Sequence, residues 1–346
     1  MRVAIVNDLA LAREVLRRLV LSLPQHTIAW TACDGAEAVR KAAADRPDVI
    51  LMDLVMPVVD GVEATRRIMA ESPCPILLVT SSVSGNFSQV YEAMGHGGMD
   101  AVNTPTLDRE GKVRDAEGLL ARLANLAKAG RVPAAASVAP PSVVRSEGEG
   151  PPLVALGAST GGPQALARVV ESFPSDLPAA VVIVQHIGAD FAPSLVHWLQ
   201  NRARLRVRLA SAGDTPVAGE ILLAGSDDHL ILGRDRRLLY TRDPEDYPYR
   251  PSVDVFFGSL AAHFPKRGVA ALLTGMGADG ARGLLALRQC GWFTLAQDQG
   301  SSVVYGMPQA AALLGAACQV LPLSRLAPAI LARLAQKEPG DANEPV

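Results

Sequence analysis

Residues 153–170 read LVALGASTGGPQALARVV. The opening apolar run, with no polar alternation, predicts a strand buried on both faces. The glycines permit a sharp turn, and Pro163 suits the first position of a helix. Strand, glycine turn and helix together form the unit of a parallel sheet covered by helices. The turn holds Gly157-Ala-Ser159-Thr-Gly161, the G-x-S-x-G spacing that exposes a serine at the top of a sheet. A helix start behind it supplies free N–H groups and partial positive charge. Two plainer readings compete: a tight turn without chemistry, and a phosphate cradle. No Lys-Ser/Thr pair follows the glycines and G-x-G-x-x-G is absent, so neither nucleotide motif is present.

The same alternation runs on toward the C-terminus. It predicts strands at 181–184, 205–209, 221–224, 230–232, 238–240, 269–273 and 293–296. Helices are predicted at 163–172, 193–201, 253–263, 280–289 and 307–314. A nucleophilic serine needs a base, and the base needs an orienting carboxylate. His186 ends the strand VVIVQ, on the sheet edge that carries Ser159. His229, just before another strand, is its rival. Asp279, in the glycine-rich loop TGMGADG, suits the orienting acid, with Asp254 and Asp298 as alternatives. That loop also offers N–H groups for an oxyanion. Arg202, Arg204, Arg206 and Arg208 alternate and would share one face of a strand. They read as a charged edge strand or as a docking face for an acidic partner.

Residues 1–108 repeat the alternation. Strands are predicted at 3–6, 28–31, 49–52, 76–79 and 101–102, and helices at 9–23, 36–44, 62–70 and 87–94. Asn7 and Asp8 end the first strand and Asp53 ends the third, so they converge at one sheet edge. Carboxylates there suit Mg²⁺, and a metal-neutralised carboxylate can attack a phosphoryl donor. Thr80, ending the fourth strand, would donate to the new phosphoryl group. Taken alone, Asp8 reads as a helix cap. A helix at 116–128 and a Pro/Ala/Ser/Gly-rich stretch follow, the latter reading as an extended linker.

Composition sets the bounds. The 346 residues carry 33 Lys+Arg against 35 Asp+Glu, which leaves no basic excess for nucleic acid. Apolar residues at 49% exclude a disordered chain. Cys33, Cys74, Cys290 and Cys318 are scattered, which fits neither a zinc ribbon nor a disulfide framework. No apolar run is long enough for membrane insertion and no secretory signal opens the chain, so a cytoplasmic protein is expected.

LMDLVMPVVDG, with VND and LLVTSS, resembles the receiver domain of two-component response regulators. GASTGGP, the strand-end QH, TGMGADGA, RPSVDVFF and VVYGMP resemble the catalytic domain of chemotaxis protein-glutamate methylesterases, the CheB family. The resemblance implies two doubly wound parallel-sheet α/β domains: a receiver at 1–108, a helix and linker at 109–151, an esterase at 152–335 and a tail at 336–346. It implies nucleophile Ser159, base His186 and orienting acid Asp279, with Thr160 supporting the site and the Met276 N–H on the oxyanion. It also implies phosphorylation at Asp53, a switch at Thr80, and Mg²⁺ held by Asp8, Asp53 and Asn7. The esterase chemistry would need no cofactor. The partners would be a methylated chemoreceptor-like protein and a phosphodonor histidine kinase. Three positions depart from the receiver pattern: Asn7 replaces an acid, Thr104 replaces the lysine before Pro105, and Ala101 stands at the aromatic switch position. VND, EAMGHG and NTP are similar to the Wsp-type surface-sensing branch.

Overall fold

The computed structural model describes residues 1–81, 86–108, 113–129, 150–247, 249–264 and 268–336. The linker at 130–149 and most of the tail, 337–346, lie outside them. The chain divides into two units, Met1–Ala136 and Ser137–Val346.

In the first unit the elements run Arg2–Val6 (β1), Ala10–Leu21 (α1), Thr27–Ala32 (β2), Gly35–Ala44 (α2), Val49–Met52 (β3), Gly61–Glu71 (α3), Ile76–Thr80 (β4), Phe87–Gly95 (α4) and Gly98–Asn103 (β5). A small hairpin, Thr106–Leu107 (β6) and Val113–Arg114 (β7), leads to Glu117–Ala129 (α5). The main sheet is parallel in the order β2-β1-β3-β4-β5. The chain starts in mid-sheet and reverses direction between β1 and β3, so a crevice opens above those two strands. β1, β3 and β4 are almost wholly apolar and buried, as strands covered on both faces must be. Leu119 and Leu123 of α5 join Val3, Ile5 and Leu51 in one core, so this helix completes the first unit and is not part of a linker. Asp34 and Asp60 cap α2 and α3 by accepting from the Glu37 and Glu63 amides.

The second unit begins with Leu153–Ala158 (β8), Gly162–Glu171 (α6), Ala180–Gln185 (β9), Ala192–Gln200 (α7), Arg206–Leu209 (β10) and Glu220–Leu223 (β11). His229–Leu232 (β12) and Leu238–Thr241 (β13) form a separate antiparallel pair. Val253–His263 (α8), Val269–Leu272 (β14), Ala281–Gln289 (α9), Phe293–Gln297 (β15), Met307–Leu313 (α10), Gln319–Leu321 (β16) and Leu323–Ala335 (α11) follow. The seven-stranded parallel sheet is ordered β10-β11-β9-β8-β14-β15-β16. Its reversal lies between β8 and β14, which places a second crevice above the C-terminal ends of β8, β9 and β14.

The arginine reading is corrected here. β10 begins only at Arg206, so the four arginines share no strand face. Arg202 lies beyond α7 with its guanidinium 4.1 Å from the Trp198 ring. Arg208 is committed to Glu220 and Asp214. Register then fixes the position of this edge. Arg206 pairs with Glu220, Ile221 lies level with Val181, and Val181 lies level with Val154. Arg206 is therefore level with the start of β8, roughly 20 Å along the strand direction from Ser159. No helix among the described residues is long and apolar enough to cross a membrane.

Candidate active site

Three strand ends supply the second crevice. Ser159 follows β8, and its N–H donates to Thr274 O at 3.0 Å. His186 follows β9, and its N–H donates to Ala158 O at 3.1 Å. Asp279 sits in the loop after β14. These backbone bonds bring the side chains into line. Ser159 Oγ is 3.1 Å from His186 Nδ1, and His186 Nε2 is 2.7 Å from Asp279 Oδ2. Nε2 therefore carries the proton toward the carboxylate, and Nδ1 is free to accept from the serine hydroxyl.

The turn below Ser159 tolerates only glycine. Gly161 has φ +76°, in the left-handed region. A methyl group on Gly162 would stand 2.0 Å from Gln185 Oε1. Gln185 is itself a brace that residue typing missed. Fully buried, it donates from Nε2 to the carbonyls of both Ser159 (2.9 Å) and His186 (3.1 Å). Its place in the pair QH was the only sequence signal. Thr160 is buried beside the nucleophile with its hydroxyl unpartnered among the described residues. Thr274 Oγ donates to the Thr160 carbonyl. Met276 is half-buried in the loop between Gly275 and Asp279, and its N–H has no partner among the described residues.

Asp279 is gripped from below by the start of α8. Its oxygens accept from the Ser252 hydroxyl (2.8 Å), the Val253 N–H (2.7 Å) and the Asp254 N–H (3.0 Å), besides His186. Burial works to raise this carboxyl. The His186 hydrogen bond and charge, together with the α8 amides, outweigh it and hold Asp279 below the ordinary carboxylate range. The rivals separate cleanly. His229 is fully buried, accepts from the Ser252 N–H at Nδ1 and donates from Nε2 to Pro244 O, so neither nitrogen is free to act as base. Burial holds its pKa low. Asp298 binds Ser301 in its own loop.

Asp254 is half-buried and accepts from Tyr247 Oη and the Gly283 N–H, both at 2.7 Å. Burial and the neighbouring Asp279 charge push it up to about 6, against the Gly283, Tyr247 and Arg282 contacts. Its folded pKa is raised, so the folded form binds this proton more tightly than the unfolded chain does. The ionised state costs stability that builds from about pH 4 to pH 6 and is constant above. Asp254→Asn keeps an acceptor for Gly283 and a polar partner for Tyr247. It should raise the stability of this unit by about 1–3 kcal/mol at pH 7.5, a gain that fades as the pH approaches 4. Thermal unfolding followed from pH 4.5 to 8 checks this, and a gain independent of pH would contradict it.

In the first unit Asp53 is buried at the end of β3. Its Oδ1 accepts from the Leu54 N–H at 2.7 Å. Burial pushes the carboxyl up to about 6, with the nearby Asp8 charge adding to the rise. Asp8 is exposed and does not cap α1, whose N-cap is Leu9. Asn7 Oδ1 accepts from the Leu9 N–H, which turns Asn7 Nδ2 onto Asp53 Oδ2 at 2.7 Å. Asn7 thus serves Asp53 as a donor while its own oxygen is engaged by the Leu9 N–H. Asp8 and Asp53 remain a pair of mutually repelling carboxylates at one strand edge. That donor set fits a hard divalent cation. Thr80 is buried, and its hydroxyl accepts from Asn86 Nδ2 at 3.2 Å. Thr104, at the position of the absent lysine, is held to this edge by its N–H donating to Thr80 O at 2.8 Å.

Comparison with known proteins agrees with both halves. The response regulator receiver domain family matches residues 3–111, and the CheB methylesterase family matches residues 154–330. A protein-glutamate methylesterase/protein-glutamine glutaminase of Burkholderia thailandensis is 52% identical over 94% of this chain and 96% of its own length. A protein of the same name from Bordetella avium is 52% identical over 95% of this chain and 96% of its own. The crystal structure of the Thermotoga maritima CheB methylesterase catalytic domain superposes with a TM-score of 0.51 at 30% identity, covering 54% of this chain and all of that one. The likeness runs through both units and across their junction, and on that ground the chain belongs to the CheB methylesterase family.

Proposed function

We propose that this protein is a cytoplasmic, phosphorylation-controlled protein-glutamate methylesterase acting on a methylated chemoreceptor-like protein. The supporting observation is the line Ser159 Oγ, His186, Asp279 at 3.1 and 2.7 Å. Ser159 Oγ attacks the γ-carbonyl of a glutamate methyl ester while its proton passes to His186 Nδ1. Asp279 stabilises the imidazolium through Nε2–H. The oxyanion is held by backbone N–H groups, Met276 among them, with Thr160 supporting the turn. Collapse expels methoxide, which leaves as methanol with the proton from His186. A water molecule, deprotonated by His186, then hydrolyses the acyl-enzyme to glutamate and free Ser159. A glutamine side chain in the same position would lose ammonia, giving glutaminase activity.

Asp53 is the proposed phospho-acceptor for a histidine kinase of a chemosensory complex, with Thr80 as the switch hydroxyl. Asp8 and Asp53 would hold Mg²⁺. When bound, the cation supplies charge neutralisation at the carboxylate and phosphoryl oxygens. Asn7 keeps Asp53 oriented. The test is methanol release from a methylated receptor fragment by wild type, Ser159→Ala and Asp53→Asn, with and without a small phosphodonor. Expected are no release from Ser159→Ala, and stimulation by the donor in wild type alone. Release retained by Ser159→Ala would reject the nucleophile, and equal stimulation of Asp53→Asn would reject the acceptor.

A further inference from the structure

One ring touches the base from a segment that the reaction above does not use. Tyr249 lies flat on His186, with ring centroids 4.5 Å apart and planes 8° from parallel. Its hydroxyl reaches over the loop of Met276 and Asp279, since a methyl group on Gly277 would stand 3.1 Å from Tyr249 Oη. The segment that carries the ring is fastened on both sides. Before it, Tyr247 Oη donates to Asp254, and Pro244 O accepts from His229 Nε2. After it, the Ser252 N–H donates to His229 Nδ1, and the Ser252 hydroxyl donates to Asp279. The strap that places Tyr249 on the base is thus tied to the carboxylate that orients the base.

We propose that Tyr249 is a positioning residue for His186: its ring face keeps the imidazole in the plane shared by Ser159 and Asp279, and stabilises the imidazolium formed when Ser159 loses its proton. The proposal rests on the esterase reading given above. An aromatic face is electron-rich and attracts a cation laid on it. The imidazole is neutral before the proton moves and cationic after, so the attraction is greater in the transition state than in the ground state. An interaction of that kind raises kcat and leaves KM alone. Half-buried as it is, the ring also covers one face of the base and thins the water that would screen this attraction.

The test is steady-state methanol release by the full chain carrying Tyr249→Phe, Tyr249→Leu or pentafluorophenylalanine at the same position. The phenylalanine variant should stay within about threefold of wild type, because the face is kept. The leucine variant should lose about 5- to 30-fold in kcat, with KM within about twofold. The pentafluoro ring has a similar shape and a reversed face, and should fall with leucine. Should leucine prevent folding, the matched phenyl and pentafluorophenyl pair decides. The proposal is overturned if the leucine variant turns over like wild type, or if the pentafluoro and phenyl proteins are equal. Those outcomes leave Ser159-dependent release by wild type intact. Absence of that release is the distinct signature that the esterase reading itself has failed, and it overturns both.

Discussion

Asp279→Asn should reduce methanol release by about 10³- to 10⁴-fold while leaving substrate affinity nearly unchanged. The reason lies in the donors around the carboxylate. Oδ2 receives His186 Nε2–H and the Val253 N–H, and Oδ1 receives the Ser252 hydroxyl and the Asp254 N–H. An asparagine must turn its NH₂ toward one of these pairs. Facing His186, it forces the ring to accept at Nε2, so that Nδ1 carries the proton and presents N–H to Ser159, where a lone pair is needed. Facing the other pair, it leaves the Asp254 N–H opposed by a donor. In both orientations the charge that stabilises the imidazolium is gone. One buried N–H is left unsatisfied, which should also cost about 1–3 kcal/mol of stability. The measurement is kcat and KM beside an unfolding curve. A loss below tenfold would mean that Asp279 does not orient the base.

The second large effect is expected in the receiver unit. Gly61 opens α3, and its N–H donates to Leu54 O at 2.9 Å. A Cβ there would stand 2.0 Å from Asp53 O and 2.8 Å from Leu54 Cα. These are backbone atoms, and Asp53 is itself fixed by its N–H donating to Val6 O at 2.9 Å. No side chain can rotate aside, so the loop must move. Gly61→Ala should therefore destabilise this unit by about 3 kcal/mol and displace the acceptor carboxylate enough to abolish its reaction with a small phosphodonor. Urea unfolding and mass spectrometry of the phosphorylated protein read the two effects. A variant that is phosphorylated normally would show that the contact relaxes at no cost.

Both sheets were legible because their strands are short, unbroken apolar runs between glycine and acidic punctuation. Val49–Met52 and Val253–His263 fall where the pattern placed them. What escaped was weak in pattern. β16 is three residues long and mostly exposed, and α11 carries Pro328 inside it, which breaks the helical signal. Arginine alternation in ARLRVRL imitated a longer strand, whereas the chain is still leaving α7 at Arg202. At the active site the motifs offered Ser159, with His186 and Asp279 each beside rivals, and the family resemblance chose among them; parallel topology sends all three to one edge. Topology alone does not reveal side-chain orientation. Hence the Gln185 brace, the Tyr249 stack and the sealing of His229 by Ser252 and Pro244 appear only in three dimensions. The same holds for Asn7, whose amide is turned by the Leu9 N–H.

The grip of α8 on Asp279 has a consequence for dynamics. The Val253 and Asp254 amide protons, which a free helix end would leave to water, are held by a buried carboxylate. They exchange with solvent only when Asp279 lets go or the first turn of α8 opens. Either event removes the orienting partner of His186. The protection of these two amides is therefore a local gauge of how often the site is assembled, readable by hydrogen exchange without substrate.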